Sequence, residues 1–365
     1  MTDKAAIRAE GDRLLAAFVQ AGAVPVETDL LQPAETLLDL YGEDIRARAY
    51  VTDDPVRGEM MLRPDFTVPV VQAHMAHAAE PARYAYLGEV FRKQDRNSAK
   101  ASEYLQAGYE VFDRQAPEVT DAEVFALFRD LLAGLNLRPV TGDIGILMAA
   151  VRGLETSERR KAALLRHVWR PARFKALLDR FAGRAPMPAG RLRLLERLKA
   201  GSPLQLIEEA GTFVGLRSPE EIVARAEGLM ADAEVPPIKA MEAALLYDLL
   251  SLESPAAHAL EHLRGITPML PAIGPAVDRF AARLYALAAK GVDISTLAFE
   301  ASHGRTALEY YDGFVFSFLA DGMPPVASGG RYDALTAVLG AGAFIPAVGG
   351  VIRPELVARL KGAKP

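Results

Sequence analysis

The chain has 365 residues, half of them hydrophobic, a net charge of −5 and no cysteine. The missing thiols exclude a disulfide framework and a cysteine nucleophile, and no window approaches the ~20 uninterrupted apolar residues of a membrane helix. The charged start from Met1 to Arg13 lacks a secretory apolar region, so a cytoplasmic protein with no membrane partner is expected, and the negative balance argues against nucleic acid as a partner.

Apolar positions at helical spacing (Ala6, Leu14, Leu15, Phe18, Val19) predict a helix over residues 5–22. A short strand at 23–27 leads to a turn at Pro33 and a helix at 34–41. Residues 49–52 and 58–62 read as two strands joined at Asp53-Asp54-Pro55. Pro64 introduces Asp65-Phe66-Thr67, and an apolar helix follows to His77. Residues 84–92 and 103–112 read as long strands with a polar loop between them. A helix is expected at 121–135 and a strand at 140–146. From about 150 to 290 the sequence is helix-like throughout, with proline breaks at Pro186, Pro188, Pro203, Pro236 and Pro237. Strand patterning returns at 297–300 and 314–319, followed by a helix at 332–339 and a strand–helix unit at 346–361. The expected architecture is α+β, an antiparallel sheet flanked by helices, with one domain made of 1–150 and 291–365 and a helical insert at 151–290.

Alternation along a strand puts Gln106, Gly108 and Glu110 on one face. The glycine between two polar groups leaves a floor on which a small ligand can lie. Asp65 and Thr67 share a face if that turn is extended. Carboxylates and an amide in this arrangement suit a ligand ammonium and a ring N–H.

The segment Leu62-Arg63-Pro64-Asp65-Phe66-Thr67 is similar to the Leu-Arg-Pro-Glu-Gly-Thr of the histidyl-tRNA synthetases, which are class II aminoacyl-tRNA synthetases. Phe91-Arg92, then Gln106 fourteen residues on and Glu110 four further, resembles that family's second motif and histidine-contact strand. Leu308-Glu309-Tyr310-Tyr311 resembles its Leu-Asp-Tyr-Tyr, and Gly329-Gly330-Arg331-Tyr332-Asp333 with Pro346-Ala347-Val348-Gly349 resembles the entry to its third motif. Several motifs in order are far more specific than any one. The resemblance implies that Asp65, Thr67 and Gln106 hold the α-amino group of histidine, that Glu110 and Tyr311 read its imidazole with Tyr310 packing nearby, and that Arg92 faces the carboxylate or a phosphate. No metal and no cofactor is implied.

The departures matter as much. Where the synthetases carry an arginine two residues before Leu-Asp-Tyr-Tyr, this chain has Thr306, with Arg305 one step away. Their third-motif arginine after a glutamate is replaced by Leu356 after Glu355, with Arg353 three residues off. Loss of such preorganised cations costs orders of magnitude in rate. The sequence stops at Pro365, where the synthetases continue into an anticodon-binding domain. These features resemble the synthetase-related regulatory-subunit family of ATP phosphoribosyltransferase. That resemblance implies a non-catalytic homodimer, joined with a short-form catalytic subunit in a hetero-oligomer, and histidine feedback on the first step of histidine biosynthesis. The alternative is a truncated ligase that still forms histidyl-adenylate.

Other patterns are weaker. His258-Ala259-Leu260-Glu261-His262 fits a zinc-peptidase spacing, but it lies in an ordinary amphipathic helix. His74 and His77 lack an acidic companion, and Gly340-Ala341-Gly342-Ala343 is not followed by the lysine–serine pair of a phosphate loop.

Overall fold

The computed structural model describes residues 4–41, 48–77, 79–94, 101–211, 217–305 and 311–362. They form two compact units: one of 1–146, 251–265 and 274–365, the other of 147–250 and 266–273.

The first unit is built on a nine-stranded sheet of β1 (Val24–Pro25), β5 (Ala82–Phe91), β6 (Glu103–Phe112), β7 (Arg138–Asp143), β8 (Glu253–Pro255), β9 (Ala298–Glu300), β10 (Phe314–Leu319), β11 (Ala327–Arg331) and β12 (Ala347–Ile352), in the order β1-β5-β6-β12-β11-β10-β7-β9-β8. A second sheet of three strands, β2 (Leu31–Pro33), β4 (Gly58–Leu62) and β3 (Val51–Asp54), follows the order β2-β4-β3. The large sheet is mixed rather than antiparallel. Its centre is antiparallel, but β1 runs parallel to β5 and β9 parallel to β7. Each parallel pair is joined by the long connection that such pairing demands.

One face of this sheet is aromatic. Phe314, Phe316 and Phe318 alternate onto it from β10 and meet Phe125 and Phe128 of helix Pro117–Leu131, with Phe125 and Phe318 at 5.2 Å and Phe128 and Phe316 at 5.5 Å between ring centres. Phe18 of helix Lys4–Gln20 packs on Tyr109 at 5.4 Å. Below these rings Asp121 accepts from two buried arginines, Arg283 at 2.8 Å and Arg331 at 2.7 Å, while Arg283 also reaches Asp143 at 2.8 Å.

That network explains a boundary the sequence placed elsewhere. Residues 274–289, expected in the insert, form a helix of the first unit. Arg283 cannot leave its two carboxylates without burying unpaired charge. β8 likewise pairs with β9, so the chain rejoins this unit at Ser251 rather than 291. The expected strand at 140–146 also ends early, since helix Ile144–Arg152 begins directly after Asp143.

The second unit is helical. Its helices start where the sequence supplies donors' partners: Ser157 Oγ accepts from Arg160 N–H, and Ser202 with Gln205 and Ser218 with Glu221 form reciprocal capping boxes before Pro203 and Pro219. Arg160 and Asp232 make a buried ion pair at 2.7 Å, and the arginine also donates to the carbonyls of Asp232, Val235 and Pro236, which end helix Pro219–Glu234. No described helix is long and apolar enough to cross a membrane.

Candidate functional site

The second face of the large sheet is polar and glycine-rich, and a single register sets its layout. Glu110 on β6 lies opposite Tyr84 on β5 and Gly349 on β12; Gly349 faces Gly330 on β11, and Gly330 faces Val315 on β10. One row along, Gly108 faces Tyr86 and Val351, Val351 faces Ser328, and Ser328 faces Ser317. Over this floor is a cavity of about 520 Å³ whose lining includes Asp65, Thr67, Arg92, Gln106, Glu110 and Tyr311. Six of the seven residues expected at the site therefore share one space. Tyr310 lies outside the described residues, as do Thr306, Leu308 and Glu309.

Glu110 is the centre of the cluster. Its side chain is 1% exposed. Oε1 accepts from the hydroxyls of Thr67 at 3.1 Å and Tyr86 at 2.9 Å, and Oε2 accepts from Tyr332 at 2.6 Å. A carboxylate offers about four acceptor sites, so capacity remains for a ligand donor. Burial raises its pKa to about 7, against the opposing pull of the Tyr332, Tyr86 and Thr67 hydroxyls. The same burial, with the charge of Glu110, pushes Tyr86 and Tyr332 well above the usual phenol range, so both remain donors.

The glycine at 108 does something other than expected. A β-carbon there would fall 2.1 Å from the ring of Tyr86. The space beside Gln106 and Glu110 is filled by that ring, not left for a ligand. Tyr86 stacks on Phe66 at 4.2 Å, and the Arg63 guanidinium lies 3.9 Å from the centre of the Phe66 ring. Arg63 is fixed in turn by donating to Glu89 O at 2.9 Å. Phe66, where the synthetase motif has glycine, is thus the middle of an Arg63–Phe66–Tyr86 stack that presents the Tyr86 hydroxyl to Glu110. Gly349 has the matching role, because a β-carbon at that position would lie 1.6 Å from Oε2 of Glu110.

Asp65 and Thr67 enter from the start of helix Thr67–His77, where Asp65 Oδ1 accepts from Val68 N–H at 3.3 Å. Both are buried. Gln106 is 2% exposed, and its Oε1 has no hydrogen-bond partner among the described residues. A buried acceptor left unmet costs roughly 1–3 kcal/mol, and here a ligand donor would relieve it. Arg92 donates from Nε to Pro64 O at 2.8 Å.

Several lining residues escaped the sequence reading. Tyr332 belongs to the Gly-Gly-Arg-Tyr-Asp run, but its own role was not visible, and Arg331 from the same run turns to the opposite face to meet Asp121. A tyrosine at 86 facing a glycine at 108 was the available signal for the stack. Arg353 also lines the cavity, with its guanidinium 5.1 Å from the Tyr104 ring centre, as do Arg48, His303, Ser317 and Ser328. Arg305 is buried, and desolvation lowers its pKa to about 10; it is not among the residues that border the cavity. His258, Glu261 and His262 are exposed on helix Ala256–Ile266.

The architecture and motifs define the class: a histidyl-tRNA-synthetase-like core of class II type. The family model described as Histidyl-tRNA synthetase matches residues 2–254 and 224–357. Among solved structures, a Bacillus halodurans protein titled ATP phosphoribosyltransferase regulatory subunit/histidyl-tRNA synthetase superposes with a TM-score of 0.67 at 21% identity, covering 97% of this chain and 79% of that one. Histidyl-tRNA synthetase from Nostoc gives a TM-score of 0.63 at 16% identity, covering 99% of this chain and 73% of that chain. The chain belongs to the ATP phosphoribosyltransferase regulatory subunit family. It is 36% identical to the member from Allorhizobium ampelinum, over 92% of this chain and 93% of the relative, and 34% identical to that from Agrobacterium fabrum, over 96% of each.

Proposed function

We propose that this protein acts as a regulatory subunit of ATP phosphoribosyltransferase, assembling with a short-form catalytic subunit and sensing histidine rather than activating it. The observation that carries this reading is the near-full-length likeness, at 36% identity, to a chain named for that role. The unmet Gln106 acceptor supports an amino-acid ligand. In this reading Gln106, Asp65 and Thr67 take the ammonium, Glu110 and Tyr311 take the ring with Tyr310 near it, and Arg92 faces the carboxylate or a phosphate. Leu356 at the third-motif position supplies no cation for adenylate chemistry, which supports a non-catalytic subunit.

Regulation needs only that histidine binds two states of the complex unequally. A coupling of ~1–3 kcal/mol gives a five- to 150-fold change in apparent affinity. The homodimeric core within a hetero-oligomer is part of the same proposal.

Two measurements test it. Mixed with the catalytic subunit from the same organism, the protein should co-elute on a sizing column and raise phosphoribosyltransferase activity, and separate elution with unchanged activity would refute the partnership. Histidine-dependent exchange of pyrophosphate into ATP should be absent, and robust exchange would favour the ligase instead.

A further inference from the structure

The helical unit carries its charge unevenly. Between Arg159 and Lys199 thirteen arginines and lysines stand against two carboxylates, Asp179 and Glu196, in a chain whose net charge is −5. Some of these cations are neutralised within the fold: Arg160 and Arg191 both pair with Asp232 at 2.7 Å, and Arg197 pairs with Glu209 at 3.1 Å. Others gather at the turn between helices Glu158–Arg166 and Pro171–Phe181.

Arg166 ends the first of these helices, Arg170 caps the second, and Arg173 stands in its first turn. Arg166 and Arg173 are exposed, and neither pairs with a carboxylate among the described residues. The first turn of helix Pro171–Phe181 holds no acidic residue, and its cap makes no side-chain hydrogen bond, so nothing in that turn offsets the three guanidiniums. Burial, and the charges of Arg170, Arg173 and Arg166, hold the His167 imidazole below its ordinary range. The turn is also short of acceptors, since the buried indole N–H of Trp169 meets none among the described residues.

Such a cluster suits an anion with several charges on a compact frame, because guanidinium forks hold phosphate oxygens by charge-assisted, often bidentate hydrogen bonds. The rest of the surface narrows the choice. Nucleic-acid interfaces add uncharged polar side chains that contact sugars and base edges, and single strands need exposed rings on which bases stack. From Arg159 to Lys199 there is no Ser, Thr, Asn, Gln or Tyr. Phe174 and Phe181 are buried and Trp169 is half-buried. This surface can match phosphate charge but offers little to a sugar or a base.

We propose that the turn at 166–173 is a binding site for linear inorganic polyphosphate, in which Arg166, Arg170 and Arg173 each take phosphate oxygens. The site belongs to the second unit and stands whether or not the regulatory reading does. Trp169, the only tryptophan of the chain, lies within this turn and reports on it directly. Titrating the full chain with polyphosphate should change the tryptophan emission saturably, with orthophosphate at least about a hundredfold weaker. The affinity should fall steeply with salt, as counter-ion release requires. Arg166→Gln, Arg170→Gln and Arg173→Gln should each weaken binding about fivefold or more and lower the salt slope by about one. Arg279→Gln, on helix Gly274–Ala289 of the other unit, should leave both unchanged, and unchanged circular dichroism would show that the variants fold. Poly-L-glutamate of matched charge, or single-stranded or duplex RNA, binding as tightly as polyphosphate would overturn the assignment. So would an unmoved tryptophan emission, full affinity in all three turn variants, or no binding at all.

Discussion

Gly349 lies directly opposite Glu110 in the β6–β12 ladder, and the carboxylate occupies the place a side chain at 349 would take. The position of the most buried acid in the cavity is therefore set by a residue with no side chain. Gly349→Ala should force Glu110 off the Tyr332 hydroxyl at a cost of ~1–3 kcal/mol from overpacking, and it should abolish histidine binding. Denaturant unfolding and calorimetry check the two halves.

Glu110 also makes stability depend on pH. Its folded pKa, about 7, lies above the ordinary 4.5. The folded state holds this proton more tightly than the unfolded chain does. The favourable contribution is complete below about pH 4.5 and is lost as pH rises through about 7, a difference of roughly 3 kcal/mol. Asp312, also raised to about 7 by burial and by Asp333, acts with the same sign. Glu110→Gln should flatten about half of this decline, as seen in unfolding free energies between pH 5 and 8. Histidine affinity should rise over the same interval in the wild type, because the ionised carboxylate accepts the ring N–H more strongly.

Phe66→Gly would restore the residue found in the synthetase motif. In this chain it should destabilise by ~3–5 kcal/mol, since it empties the middle of the Arg63–Phe66–Tyr86 stack. Retained stability in a melting experiment would mean that Tyr86 is held by its hydrogen bond to Glu110 alone.

Asp121→Ala strips two buried arginines of their shared carboxylate. The expected loss is ~3–5 kcal/mol, measured by equilibrium unfolding, and it should exceed the loss from Asp333→Ala, whose carboxylate is closer to solvent.

The central elements were legible because their signals are local. The strands β5, β6 and β10 and the helix Thr67–His77 carry alternation or helical periodicity bounded by turn residues. Strand β11 was missed because Ala327-Ser328-Gly329-Gly330-Arg331 has no such pattern; its glycines are there for close approach to the Tyr311 ring, the Phe316 ring and the Gly349 carbonyl. The helix Gly274–Ala289 was recognised but assigned to the wrong unit, since nothing in its own sequence reveals that Arg283 pairs with carboxylates more than a hundred residues earlier. At the cavity, the described residues that were expected from a recognisable motif are among those that line it. Tyr86 depends on cross-strand register, and His303 on a turn after β9, neither of which a single strand discloses.

Asp121 and Asp143 come before the helical excursion of the chain, and Arg283 and Arg331 come after it. Their ion pairs join distant stretches of one polypeptide as a cystine bridge would, closing a long loop in a protein that has no cysteine for the purpose. A staple made of charge cannot be cut by a reducing thiol, so this cross-link should hold equally well in reducing and non-reducing buffer.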